Sequence, residues 1–183
     1  KNVLVMVKKF LLFLMLLMCI LPVRPLKAQT ANDIRLKLLV DDTVYYEQKV
    51  CVTVLIESER FFPQSFEMNN YVVPSRHSFN FEEHCVYLVI EHDGCVYEEA
   101  FPMIIISNEP KRMRVSRFRP IKLFGLFYFS SLLPDEVVNS RTKEELHKVL
   151  NNDFGEYQMQ AVFVTTENDT IRSKPISIMY KEK

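Results

Sequence analysis

Apolar and polar residues alternate in several separate stretches of the chain, and the alternation predicts strands. Between Asn152 and Tyr180, Tyr157, Met159, Ala161 and Phe163 alternate with Gln158, Gln160 and Val162, which gives a strand one apolar face and one mixed face. Glu167, Asn168 and Asp169 supply turn residues before Thr170, and Ile171, Ile176 and Ile178 carry the chain back. Pro175 interrupts that return; it donates no ladder hydrogen bond and suits an edge strand or a bulge. Near the start, Ile34, Leu36 and Leu38 alternate with Arg35 and Lys37, and after the polar turn Asp41-Asp42-Thr43 the positions Val50, Val52, Val54 and Ile56 alternate with Cys51, Thr53 and Leu55. These predict the first two strands, the second of them central.

A third pattern surrounds Asp93-Gly94, the best short hairpin signal in the chain. If those residues make the turn, His92 faces Cys95, and Cys85 lies roughly 23 Å further back along its strand at ~3.3 Å per residue. Cys85 and Cys95 then cannot bond, because a disulfide needs Cα atoms within about 7 Å. Cys51 with either of them, or free buried thiols, is left. The same hairpin holds His84 and Cys85 away from His92 and Cys95, which argues against a zinc site. Pro102 to Ile106 continue the second strand of the hairpin. Leu123 to Leu133 are apolar on both alternating faces, the pattern of a strand buried on both sides or of one that needs a partner chain. From Asn139 the chain reads as a short helix, with Thr142 and Glu145 as a capping box and Leu146, Val149 and Leu150 as its apolar stripe. It is expected to pack across one end of the strands.

Just before the strand at Tyr157 stand Asp153, Gly155 and Tyr157, each two apart. The trio resembles the tyrosine corner of immunoglobulin-like domains, in which a Tyr near the start of strand F turns its hydroxyl onto upstream backbone. The order of elements across residues 29–183 resembles uncharacterised secreted bacterial immunoglobulin-like proteins. That resemblance implies a mainly β, immunoglobulin-like antiparallel β-sandwich with one short helix before the penultimate strand. The chain departs from antibody-type domains at Met159, which stands where their second cysteine would be, and in having no Trp.

Composition changes the picture chiefly through the first 28 residues. Lys8 and Lys9 precede the apolar run FLLFLMLLMCILPV, and Leu26-Lys27-Ala28 offers a cleavage site before Gln29. This is the build of a secretory signal peptide, its apolar core shorter than the ~20 residues a membrane-spanning helix needs. A lipoprotein reading through Cys19 is weakened by Met18 before it and by the apolar run continuing past it. Residues 29–183 are expected to form one domain, exported to the periplasm, cell surface or extracellular space, with no further integral membrane segment. Five of the 23 basic residues and none of the 23 acids lie in the leader, leaving 18 bases against 23 acids, a net charge of about −5 that gives no reason to expect nucleic acid.

Against that acidic background Lys111, Arg112, Arg114, Arg117, Arg119 and Lys122 place six cations in twelve residues without an acid. Arg112 with Arg114, and Arg117 with Arg119, would share strand faces. They read either as a docking patch for a protein or another anionic envelope partner, or as a charged edge that discourages strand pairing. Phe61, Phe62 and Tyr71 are a candidate aromatic surface for a glycan, the alternative being that they fill a core end. Thr43 and Thr170, each after Asp and before an aliphatic residue at a turn, are candidate O-glycosylation acceptors, and Asn168 opens an N-glycosylation sequon. Three unclustered glycines, Gly94, Gly125 and Gly155, exclude phosphate-cradling loops, and no serine-nucleophile elbow, His-Glu-x-x-His pair or EF-hand loop is present. The expectation is therefore a non-enzymatic interaction or structural module of the bacterial cell envelope, with no cofactor, metal or catalytic residue. A protease-inhibitor-like sandwich using residues 61–74, or a carbohydrate-binding accessory domain, is the alternative.

Overall fold

A computed structural model describes residues 33–74, 85–100, 110–146, 148–165 and 169–183. The signal-peptide reading of residues 1–28, His84 of the zinc set, the continuation at 102–106 and the sequon at Asn168 lie outside the described residues.

The chain is mainly β. Strands β1 (Ile34–Leu39), β3 (Lys49–Ser58) and β9 (Ile121–Tyr128) form one antiparallel sheet with β3 in the centre. A second sheet runs β10 (Leu132–Pro134), β7 (Cys95–Glu99), β6 (Val86–His92), β11 (Gly155–Val164), β13 (Ile176–Lys181), β2 (Thr43–Tyr45). Two short strands join it from the side, β5 (Val72–Val73) on β6 and β12 (Thr170–Arg172) on β11. A separate pair joins β4 (Gln64–Met68) to β8 (Lys111–Val115).

Alternation decides which side of each strand is buried. In β1 and β9 every second residue is buried, and β3 buries Val50, Val52, Val54 and Ile56. These side chains meet Ile90, Met159, Ala161, Phe163 and Ile178 of the second sheet in one continuous core, so the two sheets face each other across it. A smaller cluster of Val73, Tyr87 and Val162 covers the back of the second sheet, and a third joins Ala100, Leu133 and Leu146. All these elements lie in one compact unit, Ala31–Lys183.

The Asp93-Gly94 turn forms as the sequence implies. Both residues have positive φ, 50° and 81°, and His92 is the register partner of Cys95, the arrangement of a type I′ hairpin turn. The strand returning along β11 is split in two at residues 173–175. Ser173 repairs the ladder there: its hydroxyl accepts the Ala161 N–H at 2.9 Å, while its own N–H donates to the Ala161 carbonyl at 2.9 Å. Pro175, which has no N–H, thus falls in the break rather than in a strand.

Several expectations are corrected. The segment after β1 is not only a turn: Thr43 lies in β2, which leaves the first sheet and runs parallel to β13. Thr170 likewise opens β12 and pairs with Val164, so neither candidate acceptor sits in a turn. Residues 61–74 contain β4 and β5 and are not one loop. β9 is buried on one face only, since Phe124, Leu126 and Tyr128 are exposed. The helical region is two short pieces, α1 (Asp135–Ser140) and α2 (Lys143–Leu146), and Leu150 of the expected stripe is exposed. Glu145 does reach back to the Thr142 N–H at 3.0 Å, as a capping box requires. Cys51 and Cys95 are exposed and Cys85 is half-buried, and no disulfide joins the three, so neither the Cys51 pairing nor a fully buried thiol is found.

Candidate functional site

The basic segment and the aromatic run, separated by about fifty residues in the chain, meet at one end of the three-stranded sheet. Leaving β3, the chain turns through Glu59, Arg60, Phe61, Phe62 and Pro63 into β4; leaving β8, it turns through Ser116, Arg117, Phe118, Arg119 and Pro120 into β9. The Arg117 N–H donates to the Arg60 carbonyl at 2.8 Å, tying one turn to the other. Ser116 and Arg119 close the second turn with backbone bonds of 3.2 and 3.0 Å. The first turn is anchored by Arg60, whose Nε donates to Asp33 at 2.7 Å, and by the Arg60 N–H, which donates to the Ser58 hydroxyl at 3.2 Å.

These anchors hold three phenylalanines in water. Phe61 is 62% exposed, Phe62 85% and Phe118 75%. Phe61 and Phe118 meet edge to face at 5.7 Å, and the Arg117 guanidinium lies 5.1 Å from the Phe61 ring centre, within cation–π reach. Beside them a cleft of about 530 Å³ is lined by Arg35, Glu57, Ser58, Glu59, Ser116, Arg117 and Pro120. Arg35 pairs with Glu59 across its rim, and Arg60 with Asp33.

The six cations are not equivalent. Arg117 and Arg119 belong to the turn and not to a strand face, because Ser116 and Arg119 bridge around Arg117 and Phe118. Arg112 and Arg114 do share the exposed face of β8, where Glu67 and Ser65 are their register partners on β4. Lys111 begins that strand, and Lys122 points outward from β9 opposite Leu55. Among the described residues no ion pair involves any of the six. Tyr71 stands apart from Phe61 and Phe62: it bridges to Phe124 on the edge of β9 and packs against Val73, Tyr87 and Val162.

Phe118 is the residue that sequence reasoning missed. The signal is present: Arg60-Phe61-Phe62-Pro63 and Arg117-Phe118-Arg119-Pro120 share the pattern Arg-Phe-x-Pro, each immediately before a strand.

At the opposite end of β9 lies a polar network around the trio Asp153, Gly155 and Tyr157. The Tyr157 hydroxyl, wholly buried, donates to the Asp153 carbonyl at 2.7 Å. Asn151 organises the rest. Its side-chain amide donates to the Tyr157 oxygen at 3.0 Å and to the Phe129 carbonyl at 3.3 Å, and its side-chain oxygen accepts the Asp153 N–H at 2.9 Å. The Tyr97 hydroxyl donates to the Asp153 carboxylate at 2.8 Å and the Tyr180 hydroxyl to the Asn151 carbonyl at 3.2 Å. Burial pushes the Tyr157 phenol up to about 12 and raises those of Tyr97 and Tyr180, so all three stay protonated donors at neutral pH. The His92 ring stacks on Tyr157 at 4.3 Å and its Nδ1 donates to the Glu156 carbonyl at 2.8 Å. Gly155 makes that stacking feasible, since a Cβ there would lie 2.7 Å from His92 Cε1.

Elsewhere, Glu99 stands out: burial raises its carboxyl to about 7. Among the described residues no His, Cys, Asp and Glu cluster could hold a metal ion, and no helix is long and apolar enough to cross a membrane. No family model, curated protein or solved structure matches this chain.

Proposed function

We propose that the chain is an exported, non-enzymatic interaction module of a cell envelope, built on an immunoglobulin-like sandwich, and that its contact surface is the paired turn bearing Phe61, Phe62, Arg117, Phe118 and Arg119. The carrying observation is the convergence of three exposed phenylalanines with two turn arginines, held there by the Arg117–Arg60 backbone bond. A soluble chain gains nothing for its own folding by fixing such rings in water, and exposed apolar groups rimmed by charge mark contact surfaces. The tyrosines whose phenols are raised, by contrast, are engaged in packing: Tyr97, Tyr157 and Tyr180 meet at one end of the sheets.

The immunoglobulin-like reading draws support from strand order. Taking β1, β3 and β9 as strands A, B and E, and β7, β6, β11 and β13 as C′, C, F and G, the orders A-B-E and C′-C-F-G agree with that reading, while β10 and β2 extend the second sheet beyond it. Tyr157 then falls at the start of F, with its hydroxyl on backbone four residues upstream. The added β4–β8 pair is a departure. The glycan reading loses Tyr71 from its platform, and the inhibitor reading loses its free loop to β4 and β5.

The test is crosslinked co-purification from the native envelope, comparing the wild type with a chain in which Arg112, Arg114, Arg117 and Arg119 are reversed to Glu. Capture is expected to weaken while the thermal transition is unchanged. Undiminished capture removes the patch from the proposal.

A further inference from the structure

The partner can be named more closely, on the reading that the paired turn is the contact surface. We propose that this tip docks on an anionic phospholipid bilayer, with Phe61, Phe62 and Phe118 entering the interface and Arg117 and Arg119 resting on lipid phosphates.

The shape of the site points there. Protein hot spots are large side chains that fill pockets near the centre of an interface. Here the rings stand on two adjoining turns at one end of the three-stranded sheet, and the most exposed, Phe62, has no ring partner among the described residues. None of the three carries a polar group that would need a matched donor or acceptor, so a fluid apolar phase satisfies all of them at once. Charge agrees. The tip arginines have no ion pair with a described residue, whereas Arg35 and Arg60, further in, are each neutralised by Glu59 and Asp33. The uncompensated charge beside the rings is therefore positive, apart from Glu57 on the cleft wall. Arg117 over the Phe61 face sets a guanidinium at the level where an inserting ring meets the headgroups.

Geometry then ranks the cations. With the tip pointing down, Arg117 and Arg119 lie at the surface, and Arg114 stands roughly 10 Å above it at ~3.3 Å per strand residue, about one Debye length. Arg112 stands higher again. A bilayer thus feels Arg117 and Arg119 far more than Arg112 and Arg114. An acidic protein gripping the basic segment would instead feel the pair that shares the β8 face.

The chain contains no Trp, so single Phe62→Trp, Phe118→Trp and, as a remote control, Tyr45→Trp variants of the full chain each report one position. Tyr45 is exposed on β2, which follows the far end of β1 from Asp33 and Arg60. Each is titrated with vesicles of phosphatidylcholine alone and of phosphatidylcholine mixed equally with phosphatidylglycerol, the latter with and without brominated acyl chains. The expected result is a blue shift and bromine quenching at positions 62 and 118 on the anionic vesicles only, with Tyr45→Trp unmoved. Adding Arg117→Glu and Arg119→Glu should weaken binding more than roughly tenfold, and Arg112→Glu with Arg114→Glu far less. No spectral change at either tip position, equal binding to neutral vesicles, or an equal response at position 45 overturns the proposal. Silence on vesicles together with envelope capture of an acidic protein, lost on reversing Arg112 and Arg114, overturns the bilayer and leaves the interaction module standing. Silence in both assays removes the contact surface itself.

Discussion

Asn151→Ala is expected to be among the most destabilising single changes in this chain. Asn151 is 2% exposed and its side chain makes three hydrogen bonds: to the Phe129 carbonyl, to the Tyr157 oxygen and from the Asp153 N–H. Truncation removes all three bonds; the Phe129 carbonyl keeps the Leu132 N–H, and the Asp153 N–H, on an exposed residue, can turn to water. Each lost hydrogen bond costs about 0.5–1.5 kcal/mol net, and the space left beside the Tyr157 hydroxyl adds to it. The sum is about 2–4 kcal/mol, a large part of the 5–15 kcal/mol by which a typical domain is stable. For a domain of this size that corresponds to a fall in Tm of roughly 10 °C.

Urea unfolding of the wild type and of three variants checks the reasoning. Tyr157→Phe removes one donor and should cost about 1–3 kcal/mol. Asn151→Asp keeps the acceptor for the Asp153 N–H but turns a second oxygen on the Phe129 carbonyl at a buried site, and should cost at least as much as Asn151→Ala. The double variant Asn151→Ala with Tyr157→Phe should cost less than the two added, because both act on one network. Asn151→Ala costing under about 1 kcal/mol, or costing less than Tyr157→Phe, would refute the account that Asn151 rather than the tyrosine organises this end.

Gly125→Ala tests a close approach of a different kind: its Cβ would lie 2.9 Å from Val52 Cγ2 and 3.0 Å from the Val72 carbonyl, so overpacking should cost about 1–3 kcal/mol in the same assay, and a neutral outcome would mean that β5 yields easily. Glu99 predicts a pH dependence: because its folded carboxyl is raised to about 7 from 4.5, the native state holds a proton that the unfolded chain releases in that window. Its contribution to stability is full below 4.5 and lost as pH rises through 7. The urea midpoint should drop across that range, and Glu99→Gln should flatten the drop; an unchanged slope in the variant would place the dependence elsewhere.

What the sequence made legible was local. The Asp93-Gly94 turn and the strands at β1, β3 and β11 are written in neighbouring residues, by a two-residue turn that demands positive φ and by period-two alternation. β2 and β5 are three and two residues long, too short to show a period; both pair in parallel, β5 with the next strand β6 and β2 with the distant β13. The apolar run of β9 could not reveal that its outward side faces solvent, since an alternation of Leu and Phe looks the same whether or not another layer covers it. Asn151 reads as a loop residue until Phe129, Tyr157 and Tyr180 are brought around it. The paired turn is half visible in the sequence: the cations and Phe61-Phe62 stand out, but as separate features. Tyr71 was grouped with the phenylalanines by nearness in the chain, whereas the shared Arg-Phe-x-Pro pattern points to Phe118.

The two polar and aromatic clusters lie at opposite ends of one strand. β9 leaves the paired turn at Ile121 and reaches Tyr128, roughly 23 Å away at ~3.3 Å per residue, where Phe129 enters the Asn151 network. The division has a physical consequence. Rings held in water destabilise no packing when replaced, so the tip is free to change its contacts at little cost to the fold. The network at the far end, where each donor is committed to a named acceptor, is not. Between the two ends β9 is held by β3, whose paired ladder runs without interruption from Lys49 opposite Tyr128 to Ile56 opposite Ile121. Two short turns can keep one shape only if the strands that carry them are fixed, and the β3–β9 ladder ties those strands together along the whole of β9.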